Sequence, residues 1–176
     1  NVDNTCSVIN TGTNVVSTTF AIGTSPQDAA ASFLFNVGRF AWVTCLGGGN
    51  DEKGSVSLYW DRPNGLQATV TGFENPKECI YDRNLSIWVA NSGGNTSTQL
   101  TLTIAGGGFA ATILPVINAN IQVGQGPTGI TMESYYPFFN VATRTIISAV
   151  RGAGELVFLY QPQPSRPTYS ITVPGV

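Results

Sequence analysis

The residues best suited to chemistry in this chain form a polar cluster that follows a cysteine and a run of glycines. Cys45 is followed, after Leu46 and three glycines, by Asn50, Asp51 and Glu52. Carboxylates accept, and amides both accept and donate, the hydrogen bonds that sugar hydroxyls make. Loops held by a rigid strand commonly carry such binding groups. We predict that Asn50, Asp51 and Glu52 bind a ligand; the alternative interpretation is a solvated turn.

A second polar segment, rich in proline, lies near the C-terminus. Its sequence, YQPQPSRP, places an aromatic ring, two amides and a guanidinium close together: Tyr160, Gln161, Gln163 and Arg166. Proline stiffens the intervening chain in an extended form, which lowers the entropy lost on binding. An aromatic ring can also stack against the apolar face of a sugar. We predict that these four residues belong to the ligand site; a Pro-rich connector is the alternative.

The composition excludes several catalytic and metal-binding classes. The chain has no His, and its three cysteines are not spaced as a CxxC pair. Because Ser-His-Asp triads and most zinc sites require those residues, we predict neither, and no cofactor. A glycosidase built on two carboxylates needs no His and stays open as a less favoured alternative. The chain is therefore expected to bind rather than to catalyse.

Charge and hydropathy restrict the partners. Hydrophobic residues make up 42% of the 176 residues, which is enough for a core, and only 10% are charged. That charged fraction is well below the roughly 25% of an average soluble protein, and surfaces of this kind are common on exported β-proteins. Eight basic residues and a net charge of −2 do not favour nucleic acid as a partner. No apolar run reaches the length of about 18 residues that crosses a bilayer, so no membrane insertion is expected.

Strand signals dominate the elements that must position these groups. Segments rich in Val, Ile, Thr and aromatic residues alternate with Gly, Pro, Asn and Asp turns, a pattern typical of antiparallel sheets. The predicted strands are Asn14–Ile22, Phe33–Thr44, Ser55–Trp60, Leu66–Gly72, Asn84–Ala90, Ser97–Ile104, Phe109–Ile117, Val141–Val150, Glu155–Tyr160 and Thr168–Val173. We predict an all-β fold, an antiparallel β-sandwich of the Ig-like or jelly-roll-like kind with about ten short strands.

The remaining segments complete the predicted organisation. Ser25–Ala31 is predicted to be a short helix, since its serine can cap it and its proline suits the first turn. Gly124–Asn140 is interpreted as a long loop that holds four aromatic residues. No internal repeat is expected. One domain is predicted over residues 1–173, with the start of a linker at 174–176, because Pro-Gly follows the last strand.

The three cysteines, Cys6, Cys45 and Cys79, fit an oxidising compartment in which two pair and one is left over. A Cys6–Cys45 bridge is favoured, because it would pin the first strand to the end of the central one. Cys45–Cys79 pairing and three free thiols are the alternatives. A bridge that closes a loop of this size typically contributes about 2–4 kcal/mol to stability.

These features together resemble the N-terminal lectin domains of two-domain fimbrial tip adhesins from the bacterial chaperone–usher pathway. Cys6 with Cys45 at a strand end carries the resemblance first, followed by the Asn50-Asp51 pair after that cysteine. The segment Ala153–Gln161, AGELVFLYQ, looks like the family's strand that runs into a pocket loop. The ending ITVPGV looks like its linker into a pilin domain.

The resemblance implies a cellular role that the residues alone do not. It implies a jelly-roll-like sandwich, secretion to the fimbrial tip on the bacterial surface, and bacterial attachment to a host glycan or glycoprotein receptor. It also implies a following pilin domain, which would bring fimbrial subunits and a periplasmic chaperone as partners through strand donation. The alternative from a different class is a structural, capsid-like or protein-binding β-sandwich.

Overall fold

The chain folds entirely into strands and turns within the residues that the computed structural model describes. These are residues 3–34, 38–47, 53–61, 65–82, 86–106, 112–134, 144–150, 154–160 and 167–173. The strands are β1 Thr5–Asn10, β2 Val15–Ala21, β3 Pro26–Leu34, β4 Gly38–Cys45, β5 Gly54–Trp60, β6 Gly65–Phe73, β7 Pro76–Tyr81, β8 Ser86–Asn91, β9 Thr96–Ala105, β10 Thr112–Gln122, β11 Pro127–Ser134, β12 Arg144–Val150, β13 Glu155–Tyr160 and β14 Pro167–Thr172. The predicted all-β, antiparallel sandwich class is confirmed, with fourteen described strands rather than about ten.

The strands form four sheets in chain order. A hairpin sheet holds β1 and β2, and three four-stranded sheets follow: sheet 1 (β3–β6), sheet 2 (β7–β10) and sheet 3 (β11–β14). Every pairing is antiparallel and joins consecutive strands, so each four-stranded sheet is a meander. The predicted hairpins across Asp61–Gly65 and Asn91–Thr96 are confirmed by the pairing of β5 with β6 and of β8 with β9.

The core consists of two apolar layers, one on each face of sheet 2. Sheets 1 and 2 enclose the first layer, which includes Trp42, Leu58 and Ile87. Sheets 2 and 3 enclose the second layer, which includes Trp88 and Ile146. Because neighbouring strand residues point to opposite faces, Ile87 and Trp88 enter different layers, and every residue of β8 is buried. Burial of each large side chain contributes about 1.5–3 kcal/mol.

The three four-stranded sheets begin in the same way, which overturns the expectation of no internal repeat. Pro26, Pro76 and Pro127 each open the first strand of a sheet, and they lie about 50 residues apart. The residue before each proline has a left-handed backbone: φ is 52° at Ser25, 53° at Asn75 and 69° at Gly126. The repeat is not visible in the sequence, because the three units share backbone geometry and strand order more than residue identity.

A carboxylate joins the first strand of each sheet to the first strand of the next. Asp28 Oδ2 accepts the Cys79 N–H at 2.9 Å, and Glu78 Oε2 accepts the Ile130 N–H at 3.1 Å. Each acid stands two residues after the proline of its own repeat. Hydrogen bonds to a charged group contribute about 1.5–3 kcal/mol each. In sheet 3 the matching position is Gly129, which has no side chain to continue the series.

Two local predictions are wrong. Ser25–Ala31 is not a helix, because Pro26 opens β3 and the following residues pair with β4. Proline is tolerated there since β3 is the edge strand of sheet 1, where a backbone N–H is not required. Gly124–Asn140 is not one long loop, because Pro127–Ser134 form β11. The four aromatic residues of that segment lie outside the described residues.

The expected Cys6–Cys45 bridge is absent, and all three cysteines are free. Cys45 Sγ lies 4.0 Å from the Val43 carbonyl oxygen, and Cys79 Sγ lies 3.9 Å from that of Trp42. Burial raises the pKa of the Cys45 thiol to about 11 and raises the pKa of the Cys79 thiol further. Both buried thiols are therefore held protonated, and the protonated thiol is the unreactive form.

Candidate functional site

A polar cavity opens where the interface between sheets 1 and 2 reaches the ends of their strands. Its volume is about 280 Å³. Its lining consists of two glycines and five polar side chains: Gly72, Glu74, Asn91, Gly94, Thr96, Asn120 and Gln122. The apolar layer between the two sheets thus gives way to amide, hydroxyl and carboxylate groups at this end. We call this cavity the polar pocket.

The base of the polar pocket is a connected set of hydrogen bonds. Asn91 and Thr96 are each only 4% exposed. Asn91 Nδ2 donates to Thr98 Oγ1 at 2.7 Å and to Thr96 Oγ1 at 3.3 Å. Thr98 Oγ1 in turn donates to Asn120 Oδ1 at 2.7 Å. These bonds cross β8, β9 and β10, so sheet 2 fixes the orientation of the Asn91 amide.

One atom of this base is left unsatisfied. Asn91 Oδ1 is buried and has no hydrogen-bond partner among the described residues. A buried acceptor without a donor costs about 1–3 kcal/mol. The Asn91 side chain lines the cavity, and its amide oxygen has acceptor capacity that the described residues do not use. Asn91 therefore distinguishes this cavity from an ordinary gap between strand ends.

The rim supplies one charge and further amides. Glu74 follows β6 and Gln122 ends β10, and both are exposed. Lys53 Nζ lies 3.4 Å from Glu74 Oε1, with the two side chains 45% and 52% exposed. An ion pair this exposed contributes at most about 1 kcal/mol. Glu74 is consequently free to accept hydrogen bonds from a ligand at little cost.

A tight turn between β8 and β9 holds the rim in place. The Gly93 N–H donates to the Glu74 carbonyl at 2.9 Å, which fixes the backbone that carries the carboxylate. Asn95 has a left-handed φ of 57°, and its side-chain Oδ1 accepts the Gly126 N–H at 3.1 Å. A Cβ at Gly94 would lie 3.4 Å from Thr96 Oγ1 and 3.5 Å from Glu74 Oε2. Glycine at this position keeps the polar pocket open.

A second depression, of about 380 Å³, lies beside β1 and is more open. Thr5, Cys6 and the start of β3 form much of its lining. Its carboxylate, Asp28, already accepts the Cys79 N–H, and the Asp28 N–H donates to Thr44 Oγ1 at 3.1 Å. The polar pocket, with its unsatisfied base, is the stronger candidate site.

The structure does not test the site residues predicted from the sequence. Asn50, Asp51 and Glu52 lie outside the described residues, as do Gln161, Gln163 and Arg166. Tyr160 is the last residue of β13 and pairs with Thr145, but its side chain is not described. Lys53, the first described residue after Glu52, lies 3.4 Å from Glu74 at the rim of the polar pocket.

The sequence alone does not predict the polar pocket, although part of its signal is visible there. Asn91 to Thr96 were interpreted only as a hairpin turn. Asn120 and Gln122 alternate with Ala119 and Ile121, which indicates one polar and one apolar face at the end of β10. That alternation could have identified two rim residues. It could not have identified Glu74, which lies in the connection between β6 and β7.

Two described acidic residues elsewhere accept hydrogen bonds within the scaffold. Asp61 Oδ1 accepts the Arg39 N–H at 2.9 Å. Buried Asp82 accepts the Trp88 indole N–H at 3.3 Å and the Ser86 N–H at 3.3 Å. Within the described ranges, no group of three or more His, Cys, Asp or Glu side chains could hold a metal ion. The same ranges contain no helix long and apolar enough to cross a membrane.

Comparison with known proteins gives no assignment. No protein family matches the chain, and no curated protein matches it. Among solved structures, a complex of KlAtg21 with the coiled coil of AgAtg16 is similar over 97% of this chain and 66% of that one. The sequence identity is 9% and the TM-score is 0.47. At those values the likeness carries no conclusion about function.

Proposed function

We propose that this chain is a non-enzymatic recognition domain that binds a carbohydrate in the polar pocket. The observation that supports the proposal is a cavity lined by amide, hydroxyl and carboxylate groups, in which the lining residue Asn91 has a buried Oδ1 without a hydrogen-bond partner among the described residues. A sugar presents adjacent hydroxyls that both donate and accept hydrogen bonds. One hydroxyl would donate to Asn91 Oδ1, and others would bond Glu74 and Gln122 at the rim.

The size and charge of the polar pocket favour a neutral, compact ligand. At about 280 Å³ it is at the lower limit of small-molecule sites, which start at roughly 300 Å³, so it suits one sugar ring. Among the described residues, Glu74 is the one carboxylate in its lining, whereas a glycosidase needs two that face each other. Binding without hydrolysis is therefore the favoured activity. We expect weak affinity, in the range of about micromolar to millimolar.

The cellular setting is part of the same proposal and rests on the resemblance to fimbrial adhesins. In that setting the domain is exported to the bacterial surface and attaches the cell to a host glycan. A pilin domain would supply the contacts with fimbrial subunits and chaperone. The residues predicted from the sequence to bind the ligand are part of this proposal: Asn50, Asp51, Glu52, Tyr160, Gln161, Gln163 and Arg166.

The test is a glycan-array screen followed by calorimetry on the sugars that bind. Glu74→Gln removes the rim charge with little change in shape, and Gly94→Ala narrows the cavity. We expect Glu74→Gln to weaken binding by about tenfold, the worth of one or two hydrogen bonds, and Gly94→Ala to weaken it because the added methyl group occupies space in the cavity. Gln122→Ala should have a similar effect, whereas Gln125→Ala, an exposed amide outside the cavity, should have none.

The outcomes distinguish a site in the polar pocket from a site in the predicted loops, and they also test carbohydrate binding itself. If Asp51→Ala and Gln161→Ala abolish binding while the three polar-pocket variants do not, the site lies in the predicted loops. If no glycan binds the wild-type chain, carbohydrate recognition is wrong. Circular dichroism and the Tm of each variant show whether a loss of binding comes from a loss of folding.

A further inference from the structure

The two ends of the stacked sheets offer surfaces that match each other. Inside the molecule, sheet 1 packs on sheet 2 and sheet 2 packs on sheet 3, each time through apolar side chains on facing strands. Sheet 3 ends this series within the described residues. The hairpin sheet starts it, packing on sheet 1 through Phe20, whose ring stacks on that of Tyr59 at 4.3 Å.

Among the described side chains, the part of the outward face of sheet 3 formed by β12, β13 and β14 is apolar. Val157 points into the layer shared with sheet 2, so its neighbours on β13, Leu156 and Phe158, point away from it. Leu156 pairs with Ile171, and Phe158 pairs with Ile147. Ile171 is 49% exposed, and the other three are half-buried. This outward surface, which we call the sheet 3 face, has the same residue types as the faces that pack inside the molecule.

The outward face of the hairpin sheet is also apolar at its tip. Ile9 pairs with Val16, and these side chains are 58% and 52% exposed. Neighbouring Val15 is 58% exposed. Large apolar side chains exposed together indicate an interaction surface more strongly than scattered ones do. Val15 points to the opposite side of the hairpin sheet, so we call Ile9 and Val16 the hairpin face.

The position of the hairpin sheet shows how the two faces would meet. β2 lies beside β6, as β6 lies beside β10, so the hairpin sheet occupies the place of the third and fourth strands of a repeat. If the stack of sheets continued beyond sheet 3, the third and fourth strands of the next sheet would pack on the outward side of β13 and β14. There, Ile9 and Val16 would cover Leu156 and Ile171. The interface would continue the one that already recurs between the sheets.

We infer that a second copy of this chain docks its hairpin face on the sheet 3 face, so that copies associate head to tail. The contact is heterologous, because two different surfaces meet, and it therefore builds rings or open chains rather than closed two-fold dimers. A net charge of only −2 offers little repulsion against such association. This inference is independent of the polar pocket and of carbohydrate binding.

The test measures mass in solution by sedimentation velocity, from micromolar to near-millimolar concentrations of the 176-residue chain. The wild type should show a mass that rises with concentration. Ile9→Asp places a charge in the hairpin face, and Ile171→Asp places a charge in the sheet 3 face. Each variant alone should therefore remain monomeric. Mixed together, they should form a one-to-one dimer, because one intact hairpin face meets one intact sheet 3 face.

A matched control excludes a general effect of surface charge. Leu114→Asp changes an apolar side chain of similar exposure, 56%, on β10, outside both faces, and should assemble as the wild type does. A monomeric wild type at every concentration would overturn the inference. So would single variants that still assemble, a mixture that stays monomeric, or a Leu114→Asp chain that dissociates. Far-ultraviolet circular dichroism confirms that each variant is folded.

Discussion

At the residue scale, the buried thiols make the stability of the chain sensitive to alkaline pH. The pKa of Cys45 is raised from 9.0 to about 11 by burial, and the pKa of Cys79 is raised for the same reason. Below pH 9 both thiols are protonated in the folded and the unfolded chain. Between about pH 9 and pH 11 the unfolded thiol ionises while the folded Cys45 keeps its proton, so the free energy of unfolding should fall.

Urea denaturation at a series of pH values checks this prediction. Cys45→Ala should reduce the decline between pH 9 and about 11, because one of the shifted groups is gone. Cys6→Ala is the matched control, since Cys6 is less buried and should have a smaller effect. A decline that is unchanged in Cys45→Ala would contradict the role assigned to burial. Alkylation of the folded chain at pH 8 should likewise be fastest at Cys6.

The carboxylates between sheets are a second feature of the residue scale. Asp28→Ala and Glu78→Ala should each lower the free energy of unfolding by about 1–3 kcal/mol, because a backbone N–H loses its acceptor. Asp28→Asn should cost less, since the amide oxygen can still accept the Cys79 N–H. Glu74→Ala, an exposed carboxylate with one weak ion pair, should change stability by no more than about 0.5 kcal/mol. If Asp28→Ala changes the free energy of unfolding no more than Glu74→Ala does, the hydrogen bond from the Cys79 N–H to Asp28 does not stabilise the fold.

At the element scale, the left-handed residue before each first strand sets the direction in which a new sheet begins. Ser25, with φ of 52°, is the least suited of the three to this conformation. Ser25→Gly should be tolerated, whereas Ser25→Val should destabilise the chain by about 1–2 kcal/mol, because a β-branched side chain clashes there. Thr103→Val, an exposed strand position on β9, is the control and should be neutral. Thermal unfolding of the three variants is the measurement.

Individual strands and turns show which parts of the fold could be predicted from the sequence. The hairpin around Asn91–Thr96 was predictable, because turn residues separate two runs of strand formers. β3 was not, because a serine, a proline and three alanines carry a helix-start pattern. Its partner β4 overrides that local preference by pairing along the whole length of the segment. The candidate site was not predictable for a similar reason, since the pairing of β7 with β8 brings Glu74 close to Asn91.

At the scale of the whole molecule, stacking of repeated sheets predicts a gradient of stability. Sheet 2 is covered on both faces, whereas the hairpin sheet has one covered face and three large apolar residues exposed. Amide hydrogen exchange should therefore be slowest in β8 and fastest in β1 and β2. Mass spectrometry of exchanged peptides resolves these segments. Equal protection of β2 and β8 would show that the chain opens as one unit.

Some properties of this protein follow from the sequence alone. The abundance of β-branched and aromatic residues and the spacing of Gly, Pro and Asn determine an antiparallel all-β chain, because these preferences act within a few residues. The composition alone likewise excludes a Ser-His-Asp triad, because the chain has no His. The tertiary structure decided the rest. The repeat, the carboxylate links and the polar pocket join residues of different strands or sheets, and only strand register and sheet packing determine which of these meet.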